Sequence, residues 1–302
     1  MFDLRHEPHR TVPSNGALFW HEFKRSASDV AGLYILIALL LVIYVLPYII
    51  PTDPFSVNTD IRLLPPSWVE GGMLEHFLGT DELGRDYLSR ILLGAANTLN
   101  ASLITVLAAV AAGVPIGLLS AISKHRVRSS VMHHLFDIML SIPSLLIALV
   151  TIAILGPSLS HAILGISISL VPRFIHSTYY AVQVELAKDY ITSDLLDGVS
   201  YLSLARHTIL PNIASVIIQN FHQALGVALL DISAMGFLGF GAQPPYPDLG
   251  NMMASGLDII YVGLAQAMIP GLAIMLIIIS INAVGHGINR VLEIGIKKYG
   301  SA

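Results

Sequence analysis

The chain has 302 residues, 54% of them apolar and only 12% charged, with a net charge of −4 and no cysteine. Soluble domains carry about 25% charged residues, so lipid is expected to solvate most of this chain, whose mean hydropathy is +0.72. The missing cysteines exclude a disulfide framework and a thiolate metal site, and so weak an acidic balance does not suggest a nucleic-acid partner.

The first 29 residues are polar and hold Arg5, Arg10, Lys24 and Arg25. Leu18, Phe19, Trp20 and Phe23 lie beside the last two, a pattern that favours the membrane interface. It reads either as an interfacial helix bracing the bundle or as an ordinary aromatic anchor. The apolar run from Val30 to Ile50 exceeds a signal-peptide h-region of about 7–15 residues, so it is expected to stay as a first span. A crossing needs roughly 20 apolar residues. Six segments qualify, at about 30–50, 97–121, 135–156, 160–181, 213–237 and 263–285.

The loop after the first span ends in Gly79-Thr80-Asp81-Glu82-Leu83-Gly84-Arg85-Asp86-Tyr87-Leu88-Ser89-Arg90. Its glycines have P-loop spacing, but Arg85 and Asp86 follow where Lys and Ser/Thr are needed. No other stretch fits a Walker motif, so no nucleotide site is expected on this chain. Local chemistry puts Thr80 or Asp81 as a cap for the second span, Gly84 at a bend, and Asp86 in a pair with Arg90 at i+4.

Charge is costly at bilayer depth. Asp137 in the third span and Asp231 in the fifth are therefore candidate translocation-path residues, with interhelical packing as the alternative role. Arg173 lies in the fourth span. Pro115, Pro143, Pro172 and Pro270 each remove a helical hydrogen bond. The 12 histidines are scattered, and no metal site is expected.

Between the fourth and fifth spans, residues 183–210 are polar and mixed in charge. Leu186, Tyr190 and Ile191 share a helical face, which Leu195 and Leu196 are expected to continue. Gly198 is placed to turn the chain and Ser200 to cap a second short helix. Pro211 suits the first turn of the fifth span and biases Leu210 away from α geometry. Lysine and arginine set orientation. Thirteen of the 16 lie in the amino tail, the loop after span two, this segment's surroundings and the carboxyl tail. Both termini and the 183–210 segment are thus expected in the cytoplasm, and the first loop outside.

The segment resembles the coupling loop of ABC-importer permeases, which reads Glu-Ala-Ala, three residues, Gly, then Leu-Pro after a spacer. The match falls on Thr192, Ser193, Asp194, Gly198, Leu210, Pro211 and Asn212, with Asp197 beside the glycine. Thr192 replaces the glutamate, and Asp194 puts a charge where a small residue normally packs against the motor. The first-loop string is similar to the Gly-Thr-Asp-x-x-Gly-Arg-Asp-x-x-Ser-Arg signature of the second permease of dipeptide and oligopeptide importers, on Gly79, Thr80, Asp81, Gly84, Arg85, Asp86, Ser89 and Arg90. Gly236-Phe237-Leu238-Gly239-Phe240-Gly241 and Gln243-Pro244-Pro245 extend it, with Leu249 where a tryptophan is usual. Leu63-Leu64-Pro65-Pro66-Ser67-Trp68 and Leu196-Asp197-Gly198 resemble the Sap branch, named for sensitivity to antimicrobial peptides.

The resemblance implies an all-α polytopic membrane protein of six transmembrane helices with the type I ABC importer permease fold. It implies an amino-terminal segment (1–29), a first helix with its periplasmic loop (30–96), a five-helix core (97–290) and a cytoplasmic tail (291–302). The chain would be the non-enzymatic permease subunit of a transporter in the bacterial inner membrane. The implied partners are a second homologous permease, two ATPase subunits that hold ATP-Mg, a periplasmic solute-binding protein and membrane lipid. No cofactor is implied on this chain. The implied cargo is peptide, with cationic antimicrobial peptides, haem or a polyamine left open. The competing reading is a self-sufficient secondary transporter or channel, whose ion relay would have to rest on Asp137, Asp231 and His222.

Overall fold

A computed structural model describes residues 15–50, 53–122, 138–261 and 264–299. Those residues form a helical membrane bundle with no β-strand beyond a single bridge between Thr80 and Asp86. A short helix α1 (Asn15–Phe23) precedes α2 (Ala27–Tyr44), which continues into α3 (Leu46–Ile49) to make the first span. After the first loop comes α4 (Tyr87–Ile122), a helix of 36 residues. It starts ten residues before the hydropathy-based boundary at 97, because the first loop caps it at Asp86.

The third apolar segment is helical over α5 (Ser144–Leu155), 12 residues that begin directly after Pro143. Of its expected amino-terminal part, residues 138–140 are helical and 141–143 interrupt the helix, while residues 135–137, Asp137 among them, lie outside the described residues. Gly156, at φ 90°, ends it. The fourth span is α6 (Leu159–Leu186), 28 residues long, followed by the short helices α7 (Asp189–Leu196), α8 (Tyr201–Leu204) and α9 (Leu210–Asn212). The fifth span is α10 (Ala214–Phe237), then α11 (Leu249–Asp258) and α12 (Leu264–Tyr299). Pro115, Pro172 and Pro270 lie inside helices that continue through them.

Helices in lipid associate through close packing rather than through a hydrophobic drive, and glycine makes the approach here. A Cβ on Gly113 would sit 2.6 Å from Phe174 Cβ, and one on Gly117 would sit 2.7 Å from Ile175 O. α4 and α6 thus meet almost backbone to backbone. Around them Val106, Ala109, Ala148, Ile166 and Phe174 form a fully buried core with Ala224, Ala228 and Ile232 of α10. A second cluster joins Ile43, Ala95, Leu229, Ile274 and Ile277 around Leu249, which is wholly buried. The smaller leucine therefore fills the position where the related pattern carries tryptophan.

The amino-terminal helix is braced on the last one. Phe23 is buried on Gly287, whose missing side chain makes room for the ring. Arg290 Nη2 donates to Glu22 O and Phe23 O at 3.2 Å each and lies 2.9 Å from Asp29 Oδ2. Both carbonyls lie in the last turn of α1, where intrahelical donors run out, and Glu22 O also accepts from Arg25 N at 3.2 Å. Lys24 Nζ stands 4.7 Å over the exposed Trp20 ring.

Because a side chain at Gly117 would force the α4 and α6 backbones apart, Gly117→Leu is expected to cost about 1–3 kcal/mol. A lower melting temperature in detergent than that of an exposed-face control, Leu119→Ala, would be the readout.

Candidate functional site

Helix α4 separates two polar stations. The first-loop motif leads into its amino end, and Ala121 near its other end packs against the segment between α6 and α10. A helix of 36 residues places them about 50 Å apart.

At the α6 end, the segment is built around Glu185, whose side chain is buried. Its carboxylate lies 2.6 Å from Lys188 Nζ, accepts from Asn212 Nδ2 at 2.8 Å, and accepts from the Tyr190 hydroxyl. Asn212 also donates to Tyr190 Oη at 3.0 Å. Burial and the neighbouring Glu185 carboxylate push the Tyr190 hydroxyl up to about 12, so it remains a donor. One carboxylate therefore ties the end of α6 to the start of α7 and to the Leu-Pro-Asn turn that enters α10. Sequence reasoning missed Glu185. Its signal was a lone acid at the end of an apolar helix with a lysine three residues on.

Beneath this network Ile191, Leu204, Ile209 and Ile213 are buried against Val182 and Ala121. Leu186, Tyr190 and Ile191 were expected to share one continuous helix, but α6 and α7 are separate. The break falls at Lys188, whose backbone is extended (φ −80°, ψ 144°). Leu196 does not continue the buried face either. It is 84% exposed, and Leu202 is 78% exposed. With Val199 and Tyr201 they make an apolar knuckle around the turn. Thr192, Ser193 and Asp197 are exposed beside it, while Asp194 is half-buried.

The turn is a left-handed helix stop. Gly198 has φ 86° and donates to Leu195 O at 3.2 Å, while Val199 donates to Asp194 O at 3.0 Å. No atom lies within 4 Å of a Cβ placed there, so the backbone angle rather than space requires glycine. Ser200 caps α8 as expected, its Oγ accepting from Ser203 N at 3.3 Å. Leu210 departs from its expected bias and is helical (φ −58°, ψ −44°). The π-turn Ala205–Ile209, in which Leu210 N reaches back to Ala205 O, widens the backbone ahead of Pro211. The axis then bends by 59° into α10.

At the other end, the first-loop motif is a clasp. Asp86 Oδ2 accepts from Ser89 N at 2.8 Å and Ser89 Oγ at 2.7 Å, and Asp86 Oδ1 lies 2.9 Å from His76 Nδ1. Asp86, not Thr80 or Asp81, is thus the cap of α4. The expected Asp86–Arg90 pair does not form, because capping occupies the carboxylate. Arg90 Nε instead lies 3.2 Å from Asp81 Oδ2, which also accepts from Arg85 Nε at 2.7 Å. Asp81 Oδ1 holds Leu83 N and Arg85 N at 2.9 Å each, around Gly84 at φ 73°. Thr80 is buried, with its hydroxyl on Ile61 O and Leu64 N and its carbonyl on Gln266 Nε2 of α12 at 2.8 Å. Gly79, at φ 81°, brings the chain against Leu64 O. Thr80 thus ties the loop to α12 and Asp86 ties it to α4, while Asp81 closes the turn between them on Arg85 and Arg90.

Asp231 is half-buried on α10, with the Ser144 side chain as its hydrogen-bonding neighbour, and its Oδ2 is buried without a partner among the described residues. Arg173 Nη2 donates to Gln223 Oε1 at 2.7 Å. His222 is buried against Gly285, with Nδ1 3.2 Å from Ile218 O.

Asn212→Ala removes two donated bonds, one of them to a carboxylate. It should raise hydrogen exchange across residues 187–212, equivalent to about 1–3 kcal/mol of easier local opening, while protection in α4 stays unchanged.

Residues 113–298 match the family described as binding-protein-dependent transport system inner membrane component, and residues 14–66 match the N-terminal TM domain of oligopeptide transport permease C. The chain is 39% identical over 278 residues to the peptide transport system permease protein SapC of Escherichia coli O6:H1 (strain CFT073), covering 92% of this chain and 94% of that one. It is 38% identical over 287 residues to the di/tripeptide transport system permease protein DppC of Pseudomonas aeruginosa (strain UCBPP-PA14), covering 95% and 94%. In fold it is similar to a structure of the inward-facing MetNI methionine ABC transporter, with TM-score 0.55 and 18% identity over 67% of this chain and 96% of that one. Together with the apolar helical bundle, these matches identify the chain as a multi-pass member of the family of inner-membrane components of binding-protein-dependent transport systems.

Proposed function

We propose that the chain is the permease subunit of a heteromeric ABC transporter that carries peptides across the bacterial inner membrane. Its relatives SapC and DppC are named peptide and di/tripeptide permeases, which supports the cargo class. A second, homologous permease completes the pore. Two ATPase subunits, which bind ATP with magnesium, drive it, and a periplasmic solute-binding protein delivers cargo on the first-loop side. Both termini are cytoplasmic, a topology supported by the basic residues gathered in the tails and around the α6–α10 segment.

The observation that carries this reading is the exposed apolar knuckle of Leu196, Val199, Tyr201 and Leu202 standing on a rigid base. A monomer gains nothing by holding leucines out beside polar Thr192, Ser193 and Asp197, whereas a groove on a partner does. ATP-driven closure of the motor displaces the knuckle. The Glu185–Tyr190–Asn212 network passes that displacement to α6 and α10 together, and the bundle switches between two packings as rigid bodies. Asp194 is drawn inward by its place in the turn, so the charge that departs from the family pattern lies beside the docking face rather than at its tip.

The test is reconstitution with the second permease, the ATPases and the binding protein in liposomes, reading peptide-stimulated ATP hydrolysis and peptide uptake. Leu196→Asp is expected to lower both by about tenfold or more, the effect of about 1.4 kcal/mol of lost docking. Gly198→Pro forces φ to about −65° where 86° is needed. It should leave the protein inserted and hydrolysis running while uptake falls. Uptake by this chain alone, without ATPase subunits, would refute the proposal.

A further inference from the structure

One spanning helix has an open face that carries more polarity than packing requires. Most of the circumference of α10 is buried, through residues such as Ala224, Ala228 and Ile232. Gln219, Gln223, Val227, Leu230, Asp231 and Ala234 are not, and at 3.6 residues per turn they fall within a single arc of about 120°. Three of the six are polar, and lipid is a poor solvent for them. Arg173 of α6 reaches this arc at Gln223, 2.7 Å away. The Asp231 carboxylate meets the Ser144 side chain, and its Oδ2 is buried with no hydrogen-bond partner among the described residues. From Gln223 to Asp231 the helix rises about 12 Å, the length of three or four extended residues at about 3.3–3.6 Å each. Beyond Asp231 the arc runs into an apolar groove of about 630 Å³ lined by Leu230, Ala234 and Phe237 with Ile274 and Ile278 of α12.

We infer that this arc lines a water-filled track, anion-attracting at Arg173 and cation-attracting at Asp231, that takes a short zwitterionic peptide in extended form. The carboxylate end lies toward Arg173 and the ammonium end toward Asp231, with the groove beyond open to apolar side chains. The choice of a peptide rests on the permease reading above; the charge-graded track does not.

The absence of cysteine from the chain makes single-cysteine variants a direct test. In the assembled transporter in membrane vesicles, Gln219→Cys, Gln223→Cys and Ala234→Cys would be treated with two membrane-impermeant methanethiosulfonates, one cationic and one anionic. Leu107→Cys, on the exposed apolar face of α4, is the control. The three track variants should react and the control should not. Ala234→Cys should prefer the cationic reagent by about tenfold, as one charge a helical turn away predicts. That preference should vanish with Asp231→Asn and survive Asp231→Glu. Gln219→Cys should prefer the anionic reagent and lose the preference with Arg173→Gln. Trialanine should slow labelling of Gln223→Cys more than its N-acetylated amide does. Unreactive track variants would mean a buried interface with another subunit and overturn the inference, as would reagent preferences indifferent to Asp231 and Arg173. Preferences that hold while trialanine gives no protection would remove the zwitterionic peptide as occupant.

Discussion

Glu185 is the point on which the membrane-end architecture turns. A carboxylate buried at the end of a spanning helix is tolerated only when its charge is met, and it is met from three places at once: Lys188, Tyr190 and Asn212. Those residues belong to the linker after α6, to α7 and to the turn before α10. Satisfying the charge therefore fixes how two spans and one surface helix sit relative to each other. A hydrophobic contact would permit sliding, whereas a hydrogen-bonded charge holds direction as well as distance. The knuckle at Leu196–Leu202 can project as far as it does because its base is anchored this way.

The opposite end solves a similar problem by different means. There the chain must hold a long loop against two helices without a core of its own. Asp81 and Asp86 divide the work. One collects Arg85, Arg90 and two backbone amides, and the other caps α4 and meets His76. Charged residues that read like a ligand site are consumed internally. By contrast, Asp231 of α10 and Arg173 of α6 are half-buried with neutral hydrogen-bond partners, Ser144 and Gln223.

Much of the functional outline was legible in the linear chain. Hydropathy located α2, α4, α6, α10 and α12 as long apolar helices because a backbone in lipid must satisfy itself within one helix, whereas the third segment is a helix of only 12 residues. Gly198 and Ser200 announced the turn and the second short helix because their local chemistry hardly depends on surroundings. Pairings across the chain were not legible. Asp86 and Arg90 stand at helical spacing, yet capping is the stronger demand on Asp86, and Arg90 turns to Asp81. Leu196 looked like the continuation of a buried stripe, and only the end of the helix at Asp197 and the direction of the next one leave it outside.

The sequence by itself determined that this is a lipid-solvated helical permease with a polar segment between its fourth and fifth spans, since composition, span length and short motifs are local properties. The tertiary structure decided which charges hold the protein together and which remain available. That choice depends on distances between residues far apart in the chain: Arg290 to Asp29, Asn212 to Glu185, Gln266 to Thr80. No local pattern encodes them, because a hydrogen bond is specified by where its two ends meet in space.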